Sequence, residues 1–133
     1  MPASPLKHSA ALTQQPYKGA TGLRRILNAT GYSWAGLCAA WRGEAAFRQL
    51  IALNALLIPL ACYLNVSRAE RALLIASALL CPLIELLNSA IEAAIDRISL
   101  ERHALSKQAK DMGSAAQTFA LLIVASTWAV ILL

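Results

Sequence analysis

Between Arg48 and Arg68 the chain runs nineteen residues without a charge, and from Met112 to Leu133 it runs another twenty-two. A third apolar stretch, ALLIASALLCPL, occupies residues 72–83. At about 1.5 Å of rise per residue, nineteen helical residues cover about 28 Å, enough to cross the hydrocarbon core of a bilayer. Hydrocarbon offers no partner to a backbone N–H or C=O, so runs of this kind read as helices that satisfy their own amides. Composition agrees: 58% of residues are apolar, 14% are charged and the mean hydropathy is +0.54, too oily for an ordinary soluble domain of 133 residues. The expected fold class is an all-α membrane protein, with three transmembrane helices at about 46–65, 68–99 and 111–133. Pro59 within the first span predicts a kink rather than a stop.

Ahead of the spans, Leu23, Ile26, Leu27, Tyr32, Trp34, Leu37, Cys38 and Trp41 recur near helical spacing, with Arg24, Arg25 and Arg42 as polar counterparts. That pattern predicts an N-terminal interfacial amphipathic helix over about 21–42, with Gly31 as a point of interruption. Residues 1–20 hold three prolines and no periodicity, and read as a disordered cytoplasmic tail, leaving 21–133 as one membrane-embedded domain. The basic residues give the topology. Six of the twelve Lys and Arg precede the first apolar run, two lie between the first and second runs, and four lie between the second and third. The positive-inside rule puts the N-terminus and the 97–110 segment in the cytoplasm and the C-terminus on the outer side. This distribution, rather than a basic face, accounts for the net charge of +5 and argues against a nucleic-acid partner. Cys38, Cys62 and Cys81 are odd in number, widely spaced and read as free thiols.

The second span outlasts the bilayer: about thirty residues make about 45 Å of helix, so its last turns emerge into water. Where it emerges, Glu85, Asn88, Glu92 and Asp96 recur at intervals of three and four, which puts all four on one stripe. A charge in or near hydrocarbon needs compensation. A divalent cation such as Mg²⁺ supplies it, because hard oxygen ligands suit it and it takes one or two carboxylates together with substrate phosphates. The deepest acid, Glu85, suits a general base at neutral pH. Glu44, at the start of the first span, and Lys110 and Asp111, at the start of the third, fall at the same interface as Glu92, so polar groups from every span meet in one plane. GYSWAG, residues 31–36, has the outer spacing of a phosphate-binding loop, but Leu37 and Cys38 stand where Lys and Ser or Thr are required.

The stretches GYSWAGLCAAWRGEAAFRQ, ELLNSAIEAAIDRI and AKDMGSAA resemble the signature segments of the prokaryotic diacylglycerol kinases, small integral-membrane lipid kinases. The resemblance runs from about Gly22 to the C-terminus. It implies a homotrimer with shared active sites on the cytoplasmic face of the bacterial inner membrane. The implied reaction moves the γ-phosphoryl of MgATP to the primary hydroxyl of diacylglycerol in the bilayer. It makes Glu85 the catalytic base, with Asn88 supporting it, and Glu44 and Glu92 the metal ligands. Arg25, Tyr32, Lys110 and Asp111 fall on ATP-holding positions, with Glu44 and Glu92 reaching ATP through the metal and Glu101 and His103 near the adenine. Arg25, Ser33, Trp34, Ala46, Phe47, Arg48, Gln49, Glu85 and Ser114 are similar to residues on the lipid-substrate side. An undecaprenol kinase is the alternative within the same class, and the EAAFRQ segment favours diacylglycerol. Outside that class, an intramembrane Glu85 also fits a small proton-coupled transporter or a non-catalytic membrane subunit. The transporter leaves the Trp- and Arg-rich surface helix and the off-centre acids unexplained.

Overall fold

In the computed structural model, which describes residues 22–133, four helices follow one another: α1 Leu23–Gly43, α2 Ala45–Tyr63, α3 Arg68–Ile98 and α4 Ala104–Leu132. The described residues contain no strand, and α2, α3 and α4 are each long and apolar enough to cross a membrane. The expected tail, residues 1–20, lies outside the described residues. The chain divides into two compact units between Ala35 and Gly36, inside α1. In the first, the helix starts at Leu23 and runs unbroken through Gly31, the expected point of interruption. Leu23, Ile26, Leu27, Tyr32 and Trp34 are all exposed there, as suits a helix whose surroundings include lipid.

In the second unit α3 is the central element and packs against both α2 and α4. Two layers of buried residues hold it, each drawing one residue from every span. Leu50, Cys81 and Ala120 form one, and Ala61, Leu74 and Trp128 form the other. Leu50 and Ala120 meet Cys81 in the first layer, whereas the later Ala61 and Trp128 meet the earlier Leu74 in the second, so α3 runs antiparallel to both neighbours. Small side chains recur at these contacts, with Ala61, Ala78 and Ala120 at most 2% exposed. They let backbones approach, which is how helices associate where lipid supplies no hydrophobic drive. Trp128 Nε1 adds a 3.3 Å bond to the Leu74 carbonyl, pinning α4 to α3. Helices α2 and α3 continue through Pro59 and Pro82.

The turns are set by side chains. At the α2–α3 turn, Ser67 and Glu70 form a reciprocal capping box with bonds of 3.2 and 2.8 Å. The Arg71 guanidinium donates to the carbonyls of Ala61 at 3.1 Å and Leu64 at 3.0 Å, covering the end of α2. At the α3–α4 turn the structure departs from the sequence reading. The third span was expected from about 111, whereas α4 begins at Ala104. His103 caps it, Nδ1 accepting from the Leu105 N–H at 3.2 Å, and Lys107 pairs with Asp111 one turn on. Those local contacts keep two polar turns helical beyond the apolar run.

Candidate active site

Glu44 alone separates α1 from α2. Its backbone is extended (φ −109°, ψ 112°), yet its carboxylate makes no capping bond to α2. The end of α1 is covered instead by Arg48, whose guanidinium donates to the Trp41 carbonyl at 2.8 Å and the Arg42 carbonyl at 3.4 Å. The Glu44 carboxylate serves neither helix end. Its neighbour is the acidic stripe on α3. Glu85 is 6% exposed, and both Glu44 and Glu92 lie close enough for their charges to act on it. Among the described residues none of these three carboxylates has an ion-pair partner; the two salt bridges are Lys107 to Asp111 and Lys110 to Asp96. Like charges gathered at a buried position repel one another and call for compensation.

Around that core the stripe is tied to α4. Asn88 Nδ2 donates to Glu92 Oε1 at 3.3 Å, and the Asn88 carboxamide packs on Gly113. One turn further, Lys110 Nζ lies 2.7 Å from Asp96 Oδ1, and its charge also reaches Glu92. Beyond lies a cleft of about 680 Å³ at the α3–α4 turn, lined by Asp96, Glu101, His103, Lys107, Lys110 and Asp111 among others. Such a volume suits a small-molecule ligand. Four of the residues expected around ATP, Glu101, His103, Lys110 and Asp111, line it together. The His103 cap occupies Nδ1 and leaves Nε2 available.

Other expected residues are disposed differently. Arg25, Tyr32, Ser33 and Trp34 lie in the first unit, all exposed, with Ser33 Oγ donating to the Ala29 carbonyl at 3.0 Å. In the second unit Ala46, Gln49 and Ser114 are exposed and Phe47 is buried at 3% exposure. Among the described residues no three or more His, Cys, Asp or Glu side chains are grouped to hold a metal, so the acids offer a cation fewer protein ligands than a closed cage. Two participants escaped the list of expected site residues. Asp96 belongs to the predicted stripe, but its partner Lys110 could not be read from spacing. Gly113 left only a general signal, a small residue in a membrane helix.

Fold and site together define a class: a multi-pass helical membrane protein with carboxylates gathered where its helices meet a polar cleft. The description Prokaryotic diacylglycerol kinase belongs to a family model that matches residues 31–132, and the chain is a member of that family. It is 67% identical over 122 residues to the diacylglycerol kinase of Pseudomonas aeruginosa, covering 92% of this chain and 99% of that one. The diacylglycerol kinase of Escherichia coli K12 is 52% identical over 112 residues, 84% of this chain and 92% of the relative. That of Haemophilus influenzae is 48% identical over 112 residues, 84% and 95% of the two chains. This is therefore a bacterial membrane protein of a kinase family, and a kinase family implies the use of ATP.

Proposed function

We propose that the chain is a diacylglycerol kinase, transferring the γ-phosphoryl group of MgATP to the primary hydroxyl of diacylglycerol to give phosphatidic acid and ADP. The observation that carries this reading is the buried Glu85, on which the charges of Glu44 and Glu92 act, with no salt bridge to any of the three among the described residues. Glu85 takes the proton of the lipid hydroxyl as that oxygen bonds to the γ-phosphorus and the bond to the ADP oxygen breaks. Asn88 holds the neighbouring Glu92 in place through its 3.3 Å bond. Lys110 brings positive charge beside the phosphates, and Glu101 and His103 stand by the adenine, a reading supported by their shared cleft. Arg25, Tyr32 and Asp111 complete the ATP contacts. Arg25, Ser33, Trp34, Ala46, Phe47, Arg48, Gln49 and Ser114 face the lipid substrate. These roles rest on likeness to the family.

What supports Mg²⁺ is the chemistry of the donors: Glu44 and Glu92 offer hard carboxylate oxygens, their charges both act on Glu85, and this ion prefers few protein ligands plus phosphate oxygens. Glu44 and Glu92 would hold it, and it would supply charge neutralisation on the β- and γ-phosphate oxygens. Residues 21–133 make up the kinase domain in the inner membrane, with the site on the cytoplasmic side and the active form a homotrimer with shared sites. The test is ATP consumption by the purified chain in mixed micelles with and without diacylglycerol. Wild type should turn over only with the lipid. Glu85→Gln should lose nearly all turnover while keeping its melting temperature. A wild type without lipid-dependent ADP release, or a fully active Glu85→Gln, overturns the proposal. A parallel arm with undecaprenol in place of diacylglycerol should be slower.

A further inference from the structure

We infer that Gly113 is a positioning residue of the site, because the missing side chain at this point of α4 is the seat of the Asn88 carboxamide and, through it, sets the Glu92 carboxylate. Gly113 is buried, in the interior of α4 and not at a turn, so no unusual backbone conformation explains a glycine there. What explains it is space: a Cβ at residue 113 would collide with Asn88 Oδ1, with Asn88 Cγ next at 3.1 Å. At the other described glycines, Gly22, Gly31, Gly36 and Gly43, a Cβ would meet nothing within 4 Å.

The amide is committed at both ends. Nδ2 donates to Glu92 Oε1, and since a carboxylate only accepts, the oxygen end must point the other way. That oxygen, Oδ1, is buried and has no hydrogen-bond donor. A buried amide oxygen without a donor is an unfavourable arrangement, and it is kept where the opposite end of the same group is bonded to the stripe acid. Gly113 makes the arrangement sterically possible. The atoms a methyl would strike belong to the end of a side chain and not to backbone, so the substitution should leave the helices in place and swing the carboxamide away. The bond from Nδ2 to Glu92 goes with it. Gly113 touches none of the reacting atoms. It acts through Asn88, as the outer partner of a metal ligand does when it fixes the orientation of that ligand.

This inference rests on the reading of Glu92 as a metal carboxylate, and its test separates the two. The full chain is purified in detergent as wild type, Gly113→Ala, Asn88→Ala and the double variant. Melting temperature is read for all four; diacylglycerol-dependent turnover against Mg²⁺ at fixed ATP is read for wild type and Gly113→Ala. Expected for Gly113→Ala is a half-saturating Mg²⁺ concentration raised about tenfold, the effect typical of a lost outer partner. In melting, Gly113→Ala should lower stability beside Asn88 and cost nothing further once Asn88→Ala has vacated the space. Such non-additivity marks residues in contact. An equal loss of melting temperature in both backgrounds overturns the inference, as does a Gly113→Ala protein with wild-type Mg²⁺ dependence. A wild type without kinase activity sinks the functional reading instead, while the melting comparison still reports the contact between residues 88 and 113.

Discussion

Glu44 shows how a single residue becomes available for chemistry. It stands at the N-cap of α2, where a side-chain oxygen normally accepts from the first amides, and its carboxylate makes no such bond. Among the described residues Glu92 likewise forms no salt bridge, and it accepts a bond from the Asn88 amide. Neutralising either one should therefore act on the cation more than on the fold. Glu44→Gln and Glu92→Gln are each expected to raise the half-saturating Mg²⁺ by about tenfold or more with little change in melting temperature. Magnesium titration of turnover checks this, and an unaltered Mg²⁺ requirement in Glu92→Gln removes it from the set of ligands. At this scale the stripe on α3 was legible, since spacings of three and four fix which side chains share a face. The seat of Asn88 on Gly113 was not legible, because periodicity gives the face of each helix and says nothing of the register between two of them.

Among elements, the spans announced themselves. Charges bracket the apolar runs, and α2 and α3 begin and end within two residues of the expected limits. The start of α4 did not. Its first seven residues, Ala104 to Lys110, lie ahead of the expected span, yet they are helical, supported by the His103 cap and the pairing of Lys107 with Asp111. This stretch also forms a wall of the polar cleft, so its helicity carries Lys110 and Asp111 on a defined surface. Replacing His103 with Ala should cost about 1 kcal/mol of local stability. Amide hydrogen exchange checks it: Leu105 to Lys107 should exchange faster while α2 and the apolar half of α4 are unchanged. Uniform protection across α4 would show that the cap contributes nothing.

At the scale of the molecule, an odd number of spans puts the two ends of the membrane region on opposite sides. Ten of the twelve basic residues lie at or before Arg48 or from Arg97 to Lys110, and the positive-inside rule then predicts those segments inward and the C-terminus outward. Alkaline phosphatase fused after Leu133 should be active in intact cells, and phosphatase inserted at Ser99 inactive; the reverse pattern inverts the topology. Leu83, Leu87, Phe119 and Leu122 are all about half exposed or more in the chain described, as expected of helices whose solvent is hydrocarbon or another copy of the chain. The indole of Trp128 differs from these: it is 9% exposed and bonded to the Leu74 carbonyl. The other two tryptophans, Trp34 and Trp41, sit in α1, so with both changed to Phe the protein holds a single, internal tryptophan. Brominated acyl chains would leave its emission bright while α3 and α4 stay joined, and darken it when they part, making their separation something that can be watched in a cuvette.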